Sequence, residues 1–482
     1  MRYKPAIGCR IATLPLVIWV LGTGCNTQSK AVRAANGSVD GPVSATGFKT
    51  KAAEYMDARA RVSGFNGAVI VAKNNQVLFR SAYGMASKQF GIQNTPETKF
   101  RMGSVTKQFT AAAILLLEQR KQLSVSDPIE RYLPDWPAAW KGVTLHHLLS
   151  HTAGLPRLSI AQPLPDVSGL SRTAQLSIPK SIIDLARPEE KLQPLDFVPG
   201  KGWAYSNIGY AVLGEVIEKV SGKTYREFMR DEIFVPLGMK NTDVEEPARI
   251  VDRLAGGYTR VDGELMNAGY VDLRFIRATG SVYSTLDDLL LWHRALQSDR
   301  LLSQKEIAKL FSPVRSGYGY GWWIQTRLGR AVQWHRGNVQ GFVSVIVRFP
   351  DSDLFLAVLS NIERSEVLAV AMELAAIALG EPYEVPLARV AAPINAAAFD
   401  SFLGSYRAHD NPEDVFTLRR DGDRLLIDIK GAGAFEVLPW STVRLFARGF
   451  EWDITLVPDT EGRLTNILRR RDGETLRFIK IP

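Results

Sequence analysis

"FRMGSVTKQFTAAAILLLEQ", residues 100–119, sets Ser104 three residues before Lys107, where a long apolar helical pattern opens. Residues three apart on a helix share a face, so a hydroxyl and an amine at this spacing can meet without help from the rest of the chain. A serine hydroxyl is a weak nucleophile that needs a base, and a lysine is a base only when its pKa falls several units from about 10.4. Burial disfavours the ammonium, and the positive end of a helix pushes the same way. Backbone N–H groups at that end also suit the negative oxygen of an acyl-transfer intermediate. The bland alternative is a helix N-cap followed by a solvated lysine. Spacing alone does not decide, because "SIPK", residues 177–180, repeats it with a proline inside and no long apolar helix behind.

Two further stretches decide it. "FVPGKGWAYSNIGYAVLG", residues 197–214, holds Tyr205-Ser206-Asn207, and "WHRGNVQGF", residues 334–342, holds His335-Arg336-Gly337. With Ser-x-x-Lys ahead of them, these motifs make the chain resemble the serine β-lactamase and penicillin-binding family, in its class C-like branch of D-aminopeptidases, carboxypeptidases and esterases. "TLHHLLSHTAGLP", "PLGMKNT" and "GSVYSTLDDLLLW" extend the resemblance over roughly residues 50–380.

The resemblance implies an α+β, two-lobed fold, an antiparallel sheet flanked by helices beside a mostly helical lobe, with the site in the cleft between them. It implies Ser104 as the acylated nucleophile, Lys107 as its base, and Tyr205 as a proton relay to the leaving group and later to the deacylating water. A phenol of pKa about 10 needs cations close by to act as that base. Asn207 would hold a substrate amide, although it could instead cap its helix. The N–H groups of Ser104 and Asn338, after Gly337, would form the oxyanion hole. The implied activity is hydrolysis of an ester, amide, D-amino peptide or β-lactam through an acyl-enzyme, without cofactor or metal. The alternative is a penicillin-binding or peptidoglycan-sensing protein that acylates and scarcely turns over.

His335 departs from the lysine of most β-lactamases. An imidazole of pKa about 6.5 is mostly uncharged near neutral pH, so a substrate carboxylate loses its fixed cation. That favours esters, amides or D-amino peptides, unless Arg336 points inward. His147 and His151 in "HHLLSH" stand at i, i+4, but no HExxH or further ligand set accompanies them, so the segment is expected to be structural. Tyr318 to Ile324, "YGYGWWI", reads as a strand close to the site, its aromatics packing in the core.

The chain of 482 residues is 46% apolar, enough for a large core and more than one domain. Its net charge is +9, but Arg2, Lys4 and Arg10 lie in an acid-free leader and the other cations are interspersed with acids. No concentrated basic stripe suggests a nucleic-acid partner. The densest run, Leu468–Arg471, reads as a solvated hairpin edge. The partner expected is a small-molecule or peptide substrate.

Residues 1–24 read as an export signal: early positive charge, an apolar run from Ile11 to Leu21 too short to span a bilayer, then small residues before Cys25. The pattern resembles a bacterial lipoprotein signal, which implies lipidation of Cys25 and a periplasmic, membrane-anchored protein, or ordinary cleavage and release. Gly22 departs from the aliphatic residue usual three before that cysteine. Cys9, the other cysteine, lies in the same leader, so the body has no thiol to stabilise it. Residues 25–48 read as a flexible tether and 49–385 as the hydrolase domain. From about 395 to 482, short β-like runs punctuated by Asp421-Gly422 and Asp472-Gly473 read as a small antiparallel domain, resembling the lipocalin-like barrels appended to some of these hydrolases.

Overall fold

The computed structural model describes residues 45–155, 194–261, 264–270, 272–386, 388, 390–409, 414–429, 433–447, 453–458, 464–471 and 474–481. The leader, Cys25, the "SIPK" repeat and the loop 157–193 lie outside them.

Asn74 and Asn75 start the sheet. Both have positive φ, 51° and 59°, which is the two-residue turn whose twist suits paired strands. They join β1 (Gly67–Lys73) to β2 (Gln76–Tyr83), as the sequence predicts. With β3 (Trp323–Arg327), β4 (Arg330–Val339), β5 (Phe342–Phe349) and β6 (Leu354–Ser360) they form a six-stranded antiparallel sheet in the order β3-β4-β5-β6-β1-β2.

Alternate residues feed two cores, because strand side chains alternate between faces. Val69 and Val71 of β1 pack toward helices α1 (Ala45–Ser63) and α6 (Val367–Leu379), through Phe48, Tyr55, Val370 and Leu374. Ala68, Ile70 and Ala72 face a larger core shared with the helical lobe. At its centre runs α2 (Thr106–Gln119), buried from Thr106 to Leu117, which explains why its apolar residues fill more than one face. Beside it lie α3 (Leu145–Leu149) and α4 (Asn207–Ser221), the latter capped by the Ser206 side chain and closed by Gly222. Helix α5 (Leu286–Ala295) starts at its Thr285 cap with Asp287 and Asp288 in the first turn. The fold is α+β, the two-lobed architecture the resemblance implies.

The C-terminal strands, from Gly404–Ala408 to Glu474–Ile481, close in sequential order into an eight-stranded barrel. Tyr406, Phe416, Leu425, Ile427, Leu456 and Phe478 pack in one cluster that fills its interior.

The structure corrects several expectations. Leu468–Arg471 belongs to a hairpin but not to an edge, since its strand pairs on both sides. Closure removes edges altogether. Tyr318–Trp322 is a loop and the strand begins only at Trp323. Helix α1 begins at Ala45, inside the stretch read as tether, because Phe48 and Ala52 have a core to enter.

Candidate active site

Ser104 does not cap α2. It sits in a 3-10 turn, Gly103–Val105, and the α-helix begins at Thr106, so its hydroxyl has no backbone N–H to satisfy. Lys107, one turn on, is wholly buried. Its Nζ lies 3.1 Å from Ser104 Oγ, 2.9 Å from Asn207 Oδ1 and 3.0 Å from the Thr279 carbonyl. The Tyr205 and Tyr210 rings wall it, their centroids 4.9 and 5.6 Å away.

Burial holds the Lys107 ammonium well below its usual pKa. A neutral amine has two hydrogens and one lone pair. Asn207 Oδ1 and the Thr279 carbonyl can only accept, so they take both hydrogens and the lone pair is left for the Ser104 hydroxyl. Asn207 is the first residue of α4 rather than its cap, and its amide oxygen holds the Lys107 amine.

Tyr205 shares a hydrogen bond with the same hydroxyl. Burial pushes its phenol pKa up, and a hydrogen bond with Ser104 only partly opposes this. The expected cations do not materialise, since Lys107 and His335 are both held neutral. Tyr205 therefore stands as a phenol able to give a proton.

His335 on β4 is 2% exposed. Its Nδ1 donates to the Arg336 carbonyl at 2.7 Å, so Nε2 must accept, and the Tyr318 hydroxyl donates to it at 2.9 Å. Burial, with Lys107 nearby, pushes its pKa down to about 3. Arg336 does not restore the charge. It lies opposite Val345 and His335 opposite Ile346, on the two faces of the sheet.

Gly337 and Asn338 bring β4 against the Ser104 turn. A Cβ on Gly337 would lie 1.8 Å from the Met102 carbonyl oxygen, and one on Gly103 would lie 2.6 Å from the Asn338 nitrogen. Gly103 also has φ +49°, which side chains rarely adopt. The Asn338 backbone thus runs beside Gly103, next to Ser104.

Sequence reasoning did not find the Thr279 carbonyl, because a backbone acceptor has no residue signature. It left Tyr318 in the core, where it is buried but hydrogen-bonded to His335. Of the i, i+4 pair, His147 closes a capping box with Thr144, while its neighbour His146 meets the Tyr320 hydroxyl. His151 packs instead among Trp203, Tyr205, Tyr210 and Tyr318.

The family profile described as Beta-lactamase matches residues 48–380. Over 420 residues the chain is 32% identical to "Penicillin-binding protein 4*" of Bacillus subtilis (strain 168), covering 81% of this chain and 89% of that protein. Over 345 residues it is 28% identical to a D-aminopeptidase of Gluconobacter oxydans (strain 621H), covering 67% of this chain and 61% of that protein. The solved octameric penicillin-binding protein homologue from Pyrococcus abyssi is similar in fold, with a TM-score of 0.62 and 24% identity, over 89% of this chain and 99% of that one. The profile match takes in both the sheet and every residue gathered around Ser104, and on it the chain belongs to the Beta-lactamase family.

Proposed function

We propose that this protein is an exported serine hydrolase that forms an acyl-enzyme on Ser104 and acts on esters or amides whose acyl group carries no carboxylate, D-amino acyl groups among them. The observation that carries the reading is the Lys107 amine, buried, with both hydrogens accepted elsewhere and its lone pair facing Ser104.

In the first step the Ser104 proton passes to Lys107 while Oγ bonds to the substrate carbonyl carbon. The Ser104 and Asn338 N–H groups hold the resulting oxyanion. As the bond to the leaving group breaks, the Tyr205 phenol supplies its proton and regains one from the Lys107 ammonium. Water then repeats the sequence on the acyl carbon, and Ser104 recovers its proton.

The substrate preference rests on His335. Both its nitrogens are engaged by the protein and it carries no charge near neutral pH, so a carboxylate beside the scissile bond finds no cation there. The relative named D-aminopeptidase supports an amide of a D-amino acid as one such substrate. Export and lipidation at Cys25 are proposed on the leader sequence alone, and radiolabelled palmitate incorporation, lost in Cys25→Ser, tests them.

The test of function is a panel of p-nitrophenyl and alkyl esters, D-amino amides, D-Ala-D-Ala peptides and β-lactams, with Ser104→Ala as control. Sustained turnover of esters or amides without a carboxylate, lost in the variant, is expected. Activity that survives Ser104→Ala rejects the mechanism, and a single stoichiometric burst would replace the hydrolase with a sensor.

A further inference from the structure

His151 stands just beyond α3 with φ +60°, a left-handed conformation that non-glycine residues adopt only when the surroundings hold them there. Two hydrogen bonds tie it to one short stretch of chain. Its carbonyl accepts the Ala204 N–H at 3.0 Å, and its ring Nδ1 accepts the Ser206 N–H at 3.1 Å. The residues on either side of Tyr205 are thus both fastened to one residue. The imidazole also lies against the Tyr205 ring, with centroids 4.3 Å apart and planes tilted by 41°.

The rest of the ring makes ring contacts but no further hydrogen bond among the described residues. Because Nδ1 accepts, the proton is on Nε2, and Nε2 is buried without a hydrogen-bond partner among the described residues. A core histidine kept for packing would have satisfied that donor, or been replaced by a phenylalanine that needs no partner. What this side chain supplies that an apolar ring could not is one acceptor, and that acceptor holds the backbone at Tyr205.

We infer that His151 is the positioning residue of the Tyr205 phenol: it clamps Ala204 and Ser206 and fixes the angle at which the hydroxyl meets Ser104 and the leaving group. This rests on the acyl-enzyme reading above. A tyrosine whose backbone is free to shift by an ångström still lets Lys107 activate Ser104, but it delivers its proton poorly. The deficit then falls on substrates whose leaving group needs a proton.

That asymmetry is the test. An asparagine at 151 tolerates positive φ and places an amide oxygen near the Nδ1 position, whereas glutamine carries its amide too far out to reach Ser206. We expect His151→Gln to lower kcat/KM, which reads acylation and not the deacylation both substrates share, about 100-fold on a D-amino amide and less than about fivefold on the p-nitrophenyl ester of the same acyl group, since proton donation to a poor leaving group is worth about that much. Tyr205→Phe should show the same leaving-group dependence, and His151→Asn should recover the amide activity to within about threefold of the parent.

Equal losses on amide and ester, or an asparagine variant no better than the glutamine one, overturn the role of His151 provided Ser104→Ala is inactive. Activity in Ser104→Ala brings down the acyl-enzyme reading itself. Should the glutamine variant not fold, His151→Gly keeps the backbone conformation and the Ala204 bond, and its comparison with asparagine separates the same two outcomes.

Discussion

Asn207 Oδ1 lies 2.9 Å from Lys107 Nζ, and no charge accompanies that contact. Burial is the sole cause of the depressed lysine pKa, and a neutral acceptor leaves it in force. Asn207→Asp would set a carboxylate at the same place, and an opposite charge so close favours the ammonium by roughly one to three pKa units. Each unit above the assay pH leaves about a tenth of the lysine as free base. The acid limb of the activity profile should move up by about one to three pH units, so that activity lost at a given pH on that limb returns as pH rises, because the base is competent only above its own pKa. The pH profile of kcat/KM checks this; a variant whose profile is not displaced to higher pH would show that Lys107 is not the base.

Much of this is legible in the sequence. The Asn74-Asn75 hairpin, the Thr285 cap and the filled helix behind Lys107 are local features whose cause lies in a few adjacent residues, whereas the cap of α4 falls on Ser206 and not on Asn207. The site residues are legible because two side chains one helical turn apart must meet, and because the family motifs name the others. What stays hidden is set by packing between distant segments: the Thr279 carbonyl on the base, the Tyr318 hydroxyl on His335, and the face to which Arg336 points. Arg336 depends on strand register, and a shift of one residue would have reversed it. The closed barrel is implied by the resemblance and not by the strands themselves, since an edge strand and an internal one share a composition.

Gly337 is held between the Met102 carbonyl and Ser344, whose hydroxyl donates to that same carbonyl at 2.7 Å. Gly337→Ala would put a methyl group 1.8 Å from a backbone oxygen that cannot rotate away. Strand β4 must then move off the Ser104 turn, taking the Asn338 N–H with it. Loss of one oxyanion donor costs about 100- to 1,000-fold in kcat. Steady-state kinetics on an ester, with circular dichroism to verify folding, should show that loss; a folded variant within threefold of the parent would remove Asn338 from the oxyanion hole.

His335→Lys tests what the neutral imidazole excludes. The Tyr318 hydroxyl that now donates to Nε2 can turn to accept from an ammonium. A cation at this position would meet a substrate carboxylate in a charge-assisted hydrogen bond, worth about 1.5–3 kcal/mol. KM for a cephalosporin should fall about 10-fold or more, while KM for an uncharged ester shifts less than about twofold. Parallel changes in the two constants would mean that position 335 does not face the substrate.

Acid should unfold the hydrolase body through its buried histidines. His293 in α5 is 3% exposed, accepts the Arg348 Nε hydrogen bond on Nδ1 at 3.0 Å, and stacks on Phe355. Burial, with Arg348 and Arg294 adding to it, pushes its pKa down to about 2, and His335 is held at about 3. An unfolded histidine titrates near 6.5, so below that pH the unfolded chain binds protons that the folded one refuses. The stabilisation is complete above about pH 6.5 and drains as pH falls toward the folded values, at about 1.4 kcal/mol per pH unit for each group. His293→Asn keeps an acceptor near the Nδ1 position for Arg348 without a proton to take up. The variant should be the less stable protein at pH 7, yet its deficit against the parent should shrink by about 2 kcal/mol between pH 7 and pH 5. Carboxylates contribute equally to both proteins and cancel in that comparison. Urea unfolding followed by tryptophan fluorescence measures it, and a deficit that stays constant across the two pH values would mean that His293 is not kept neutral by the fold.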